Sequence, residues 1–407
     1  MTATKQWIED LELLDLIELQ IKYQDKAPKD QRSLNQLKRY YRKTGTMERL
    51  RDEPKEAPIG RLKNRWDVSA FNREAGEWTT TQNSSYEYLV DNSEIFADWK
   101  PATPARITPS RRKPIQRDHE VLLAFGDMQV DYRRIDDELI PIHDVAAINA
   151  LKLLAKDLQP EELINLGDTV DLSGLSRFAK DSDHFYRTLG PSFQYVHDFY
   201  AQLRSDNPNA KITEIDSNHH KRLTDFVLKN MPDFYGVRQA GSTDDYPVFT
   251  YPYLTNLKHV GVDWVGGYGA AEYIRRDKDG NPKPDLAFIH GEFAVSSGST
   301  AAKLSRANPD RNIVQGHKHS MESHYRTTRA GKYLGAMVVG ALCRLDGAVP
   351  SYHSSIDTYG IPVHYQENWQ NGAMVVEDYG EGNYQFNHIP IKDGKLFYKG
   401  KEYNGNL

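Results

Sequence analysis

Five short apolar runs, each ending in polar residues of a type that binds metal, constrain this 407-residue chain more than any other feature. Val121–Phe125 runs into Gly126-Asp127-Met128-Gln129, and Leu163–Leu166 into Gly167-Asp168-Thr169-Val170-Asp171. Ile212–Ile215 runs into Asp216-Ser217-Asn218-His219-His220, Leu286–Ile289 into His290-Gly291, and Ile313–Gln315 into Gly316-His317-Lys318-His319. Helix-length polar segments separate these runs, which predicts α/β architecture. Open α/β sheets carry functional groups just beyond the carboxyl ends of their strands, so five such ends converge on one place. A glycine beside the acid or histidine, present in all but the third of these ends, lets the chain turn sharply and brings backbone close to a ligand.

Taken singly, each motif is weak, since a Gly-Asp after a strand is usually a turn and a histidine pair two apart is usually surface. Five in order are a different matter. Carboxylate oxygen combined with imidazole nitrogen suits manganese, iron or zinc more than calcium or magnesium. Two such metals need one shared ligand, which a carboxylate can be.

The pattern resembles that of the calcineurin-like metallophosphoesterases: D-x-H, G-D-x-x-D, G-N-H-D/E, a lone H, and G-H-x-H. The match covers about residues 119–345. The resemblance implies a two-sheet α/β sandwich flanked by helices and a dinuclear metal site at the sheet ends. By motif position, Asp127, Gln129, Asp168 and His319 hold the first metal, and Asp168, Asn218, His290 and His317 the second, with Asp168 as the bridge. His219 is then the general acid or phosphate contact. Asp171 is the trailing acid of the second motif, behind the ligands, and can orient His219. The expected cofactors are two divalent ions, manganese ahead of zinc, iron or magnesium, and the expected chemistry is phosphoester hydrolysis by a metal-bridging hydroxide. The chain departs from the pattern at Gln129, where the family has histidine, at Ser217, where it has glycine, and at His220, where it has an acid. Arg222 and Arg177 lie close to the motifs and are candidates for holding phosphate. The style of the chain also resembles phosphoesterases of bacteriophage genomes.

Outside that region the sequence predicts a basic, mainly helical N-terminal part over residues 1–98, a Pro/Arg-rich linker over 99–118 and the phosphoesterase domain over 119–407. Ser33 is a good N-cap for a helix running to Thr44-Gly45. Lys29 to Arg65 holds 12 Lys+Arg against 5 Asp+Glu, a net +7 within a chain whose formal net charge is −5. Residues 99–117 hold four prolines and six cations with no acid. Both segments are candidates for DNA phosphates, which favours a DNA phosphodiesterase or nuclease. The alternatives are a phosphomonoesterase acting on a protein or nucleotide, and a metal-binding interaction module without catalysis. A homo-oligomer or a nuclease-complex partner fits the same features. Residues 67–98 carry no clear periodicity.

Cys343 is the single cysteine, which excludes an intramolecular disulfide and an all-cysteine zinc site. It fits a reducing cytoplasm. The longest uncharged apolar stretch, Leu334–Cys343, is ten residues, half of what a membrane helix needs at about 20. Expected later strands are Tyr333–Val339, Ala373–Glu377 and Tyr384–Ile389, the last two completing the second sheet. A helix is expected over Ser299–Asn308, capped by Ser299. His143, His184, His197, His259, His353, His364 and His388 read as structural or exposed.

Overall fold

The computed structural model describes residues 104–110 and 115–406, apart from 136–137, 177–183, 277–279, 296–297, 351–355 and 358–360. It also describes the backbone of 60–72 and 77–88, and Leu34, Asn35 and Lys38. The chain divides into two compact units, Met1–Pro101 and Ala102–Leu407.

In the first unit, β1 (Gly60–Asn72) and β2 (Glu77–Tyr88) form an antiparallel ribbon in which Gly60 faces Tyr88 and Asn72 faces Glu77. This corrects the mainly helical expectation for residues 60–66 and assigns most of 67–98. The run Thr79-Thr80-Thr81 in β2 is β-branched, which favours extended backbone. Leu34, Asn35 and Lys38 are helical, inside the helix expected after Ser33. The rest of the basic tract before Gly60 lies outside the described residues.

The second unit is built on two sheets. The larger has the order β17-β16-β15-β14-β3-β6-β7-β8 and the smaller β12-β13-β11-β10-β9. In the larger, β3 (Glu120–Phe125), β6 (Glu162–Asn165), β7 (Lys211–Ile215) and β8 (Asp263–Val265) run parallel. β14 (Asn371–Asp378), β15 (Tyr384–Lys392), β16 (Lys395–Tyr398) and β17 (Lys401–Asn404) continue it antiparallel from the far edge of β3. The late strands therefore extend the sheet built on β3, not the sheet that carries His290 and His317, because β14 takes the free edge of β3. In the smaller sheet β10 (Pro282–Ile289), β11 (Asn312–Gln315) and β13 (Tyr333–Val338) are parallel, with β9 (Glu272–Arg276) and β12 (Glu322–Thr327) antiparallel at the edges. A small hairpin pairs β4 (Tyr132–Ile135) with β5 (Glu138–Pro141).

Strand alternation sorts the core into layers. Leu122 and Ala124 of β3 face inward and join Ile164, Leu286, Phe288, Val314 and Met374 between the sheets. Val121, Leu123 and Phe125 face outward, onto the helices α1 (Val145–Leu158), α2 (Leu189–Asp206) and α3 (Asn218–Asn230). A short α4 (Tyr251–Leu254) follows. On the outer face of the smaller sheet, α5 (Thr300–Ala307) sets Leu304 on Ile313 and Ala336. The central strands are buried on both faces, which is why they read as unbroken apolar runs. The cap of α5 differs from expectation: Ser299 makes no side-chain cap bond, and Thr300 Oγ1 instead accepts from Val295 N at 3.1 Å.

The described residues of the expected linker, 104–110 and 115–118, are bonded to the helices of the second unit, and 99–103 and 111–114 lie outside the described residues. Ala105 N donates to His197 Nε2 at 3.2 Å and Ser110 N to Ser205 O at 2.7 Å, both on α2. Arg117 donates to Gln159 O and Leu158 O at the end of α1. That cation satisfies the last carbonyls of a helix and is committed there instead of to phosphate. No helix among the described residues is long and apolar enough to cross a membrane.

Candidate metal centre

The parallel strands β3, β6 and β7 of one sheet and β10 and β11 of the other bring their carboxyl ends to one place. Asp168, His290 and His317 have ligand atoms within 4.8 Å of one another, and so do Asp127, Asp168 and His319. Asp168 belongs to both groups. This is the two-sheet α/β arrangement, with ligand-type side chains gathered at the strand ends, that the resemblance implies.

The remaining candidate ligands lie beside these two clusters. Asn218 Oδ1 is 2.8 Å from His290 Nε2. Gln129 Nε2 donates to Asp168 Oδ2 at 3.2 Å and stands 3.3 Å from His319 Nε2. The amide oxygen and nitrogen have the same shape, so a half-turn of the amide places Oε1 at that spot. His319 Nε2 is 3.0 Å from Asp127 Oδ1, and His317 N donates to Asp127 Oδ2 at 2.8 Å. His290 is oriented from behind by Leu166 O, 2.8 Å from its Nδ1.

The backbone is strained at these positions. Asp127, Gln129, Asp168, His317 and His319 all have φ between 49° and 67°, the left-handed region that costs a non-glycine residue about 1–2 kcal/mol. Such outliers persist where the surroundings hold them and gather at functional sites.

The donor set fits two divalent cations. Gln129 Oε1 and His317 Nδ1 are buried without a hydrogen-bond partner, an arrangement that costs free energy unless something else occupies those lone pairs. Burial pushes the Asp168 carboxyl up, but His219, His290 and His317 together hold it well below the usual carboxylate range. Burial and the charge of His290 bring His317 down to about 4, so its ring is neutral and free to ligate.

Behind the ligands, His219 Nδ1 lies 3.1 Å from Asp171 Oδ1. Its Nε2 is 2.6 Å from the Arg222 guanidinium and 3.5 Å from Asp168 Oδ2. Burial and Arg222 lower the His219 pKa, against the pull of Asp168 and Asp171. Arg222 also donates to Asp171 O. Arg177, the other candidate for phosphate, lies outside the described residues.

The departures at 217 and 220 have local reasons. Ser217 caps α3, its side chain accepting from His220 N. His220 is buried, stacks on Tyr251 with ring centroids 4.0 Å apart, and stands 3.5 Å from Glu214 and 3.6 Å from Asp216. It holds the first turn of α3 in place, and Asp171 is the acid beside His219. Sequence reading missed Tyr268, which stands edge-to-face on His290 at 6.1 Å. The one signal was an aromatic set among glycines in Gly266-Gly267-Tyr268-Gly269.

His143 lies apart from the ligands, with Nδ1 3.2 Å from Asp131 O, packed against Tyr132 and Tyr195. Burial, helped by Arg344, lowers its pKa from 6.5 to about 4. The unfolded chain therefore binds a proton between those values that the folded one refuses, and stability falls as pH drops through that window. Between pH 7.5 and 4.5 the loss from this group is about 2–3 kcal/mol. Denaturant titrations at both pH values are expected to show a smaller loss, by that amount, in His143→Leu than in the wild type. Equal losses would assign the acid sensitivity elsewhere.

No family model matches the chain. The Gene 54 protein of Mycobacterium phage D29 is 27% identical over 148 residues, which span 35% of this chain and 57% of that protein. The chain thus covers little more than half the length of this relative, whose phage origin agrees with the phage-type expectation. Two solved structures align loosely. Vps29 complexed with Zn²⁺ from Entamoeba histolytica has a TM-score of 0.30 and 11% identity, covering 70% of this chain and 99% of its own. The purple acid phosphatase PPD1 of yellow lupin seeds has a TM-score of 0.32 and 10% identity, covering 84% of this chain and 59% of its own. At such scores neither likeness adds to what the strand order and the site show.

Proposed function

We propose that the chain is a dinuclear metal-dependent phosphoester hydrolase that cleaves DNA phosphodiester bonds. The observation that carries this reading is Asp168, one buried carboxylate common to two clusters of ligand side chains. Asp127, Gln129, Asp168 and His319 would hold one cation, and Asp168, Asn218, His290 and His317 the other. Bound there, two divalent cations, manganese first, would supply charge stabilisation at the phosphoryl oxygens and a water acidified toward neutral pH.

The chain's own residues do the rest. Arg222 is the guanidinium nearest the cluster among the groups described above, and a planar fork of donors suits a phosphate. Drawn onto phosphate, Arg222 leaves His219 Nε2, and the charge that depresses this histidine goes with it. Asp168 and Asp171 then pull the ring toward its protonated form, so that it can hand a proton to the leaving oxygen while Asp171 fixes its orientation. DNA is favoured as the substrate by the +7 tract of residues 29–65, since neutralising phosphates supplies most sequence-independent affinity.

The test is Mn²⁺-supplemented digestion of end-labelled linear and closed circular DNA, with metal content measured in parallel. The wild type is expected to degrade DNA. His317→Ala is expected to lose metal and activity together. His219→Ala is expected to keep its metal and lose about 10²–10⁴-fold in rate. Normal metal content and turnover in His317→Ala would overturn the site. Intact DNA alongside cleavage of a phosphomonoester, by protein that holds two metals, would overturn the substrate.

A further inference from the structure

A cavity of about 310 Å³ borders His290 and runs from Tyr268 past Glu292 and Phe293 to Asn308 at the end of α5. Its volume is at the lower end of the range for small-molecule sites, roughly 300–1,000 Å³. Tyr268 stands at the edge facing the candidate metal centre. Gly267 and Gly269 flank it with φ of 99° and 91°, so the loop turns sharply on both sides of the ring. Asp216 Oδ2 accepts from Gly267 N and Tyr268 N, each at 3.0 Å, and this pins the loop to the residue that precedes the cap of α3. The half-buried ring is thus held in place beside His290.

The charge of the lining selects among ligands. Asp216, Glu272 and Glu292 line the cavity, and no lysine or arginine does among the described residues. A phosphate is repelled there. Asp216 is committed to the loop, and Glu272 pairs with Arg311 at 2.6 Å. Glu292 is the acid left to accept, and its Oε1 lies against Gly269, 3.3 Å from where a Cβ would stand. The cavity therefore offers an aromatic face and a carboxylate, next to a site suited to a phosphoryl group. A planar ring with N–H donors, joined to a phosphoester, matches all three.

We infer that this cavity is a base subsite, in which a nucleobase beside the scissile phosphate stacks on Tyr268 and donates N–H groups to Glu292. Guanine matches best, because its two adjacent N–H donors meet both oxygens of a carboxylate, whereas thymine has one such donor. The inference rests on the phosphodiesterase reading for its substrate, and the test separates the two.

The probes are guanosine and thymidine, which carry no phosphate. They are applied to the full-length Mn²⁺-loaded protein. Binding is read by saturation-transfer NMR and by competition against hydrolysis of bis(p-nitrophenyl) phosphate. Guanosine is expected to bind more tightly than thymidine. Tyr268→Ala is expected to weaken guanosine roughly tenfold or more, Tyr268→Phe to retain it, and Glu292→Gln to erase the preference over thymidine. Guanosine that fails to bind an enzyme still hydrolysing the diester would overturn the subsite and leave the phosphodiesterase standing. Guanosine binding unchanged in folded Tyr268→Ala and Glu292→Gln would also overturn it. Tyr268-dependent guanosine binding without diester hydrolysis would uphold the subsite and overturn the phosphodiesterase.

Discussion

Asp168→Ala is expected to remove both metals at once. Its carboxylate is common to the two clusters, so no rearrangement of the remaining ligands restores a bridge. Metal-based stabilisation of a phosphoryl transition state is worth several kcal/mol, which corresponds to a rate loss of roughly 10³–10⁵-fold. Asp127→Ala, by contrast, removes a candidate ligand from the cluster with His319 and, from the other, the bond that His317 N donates, and it should weaken the metal at His290 and His317 less than the one at His319. Elemental analysis after dialysis, alongside turnover, tells the two apart. Two metals retained in Asp168→Ala would dismantle the assignment of a shared ligand.

Gly167→Ala is expected to be strongly damaging although it adds a single methyl group. Gly167 has φ of 99°, and an added Cβ would stand 2.8 Å from Ile215 O, 2.8 Å from Ser217 Cβ and 3.1 Å from His290 Nδ1. Neither the carbonyl of β7 nor the cap of α3 can retreat without moving Asn218 and His219. Backbone strain and overpacking each cost about 1–3 kcal/mol, which together come to roughly 2–6 kcal/mol. A melting temperature lower by roughly 3–9 °C follows for a unit of this size. Gly190→Ala is the matched control. Gly190 lies in α2 with nothing within 4 Å of an added Cβ, and alanine there should be neutral or stabilising by up to about 1 kcal/mol. Equal melting temperatures for the two variants would refute the packing argument.

The site was legible in the sequence for a physical reason. A strand covered on both faces has no room for chemistry along its length, so Leu122 to Phe125 or Leu163 to Ile164 can only be apolar, and the polar residues collect at the ends. That contrast marked Asp127, Asp168, Asn218, His290, His317 and His319. What escaped depends on contacts between distant parts of the chain. Arg117 reads as a free cation until its fold partner, the end of α1, is known. His220 reads as a lost acid until Tyr251 and Glu214 are seen around it. Tyr268 is one aromatic on a loop, and only the fold puts it beside His290. The ribbon of β1 and β2 was missed although Arg61, Lys63, Arg65 and Asp67 alternate with Leu62, Asn64, Trp66 and Val68, the period of a strand.

The left-handed backbone at Asp127, Gln129, Asp168, His317 and His319 has a consequence for how such a protein changes over generations. At each of these positions glycine is the residue that the local backbone geometry would choose, and replacing a candidate ligand by glycine relieves about 1 kcal/mol of backbone strain. Decay of the activity is therefore downhill in stability. Under the proposed hydrolysis, a lineage released from selection for it should drift toward heat-resistant, inert descendants, and a screen for thermostability alone would pull the same way. Selection for metal-dependent turnover has to accompany any attempt to stabilise this chain.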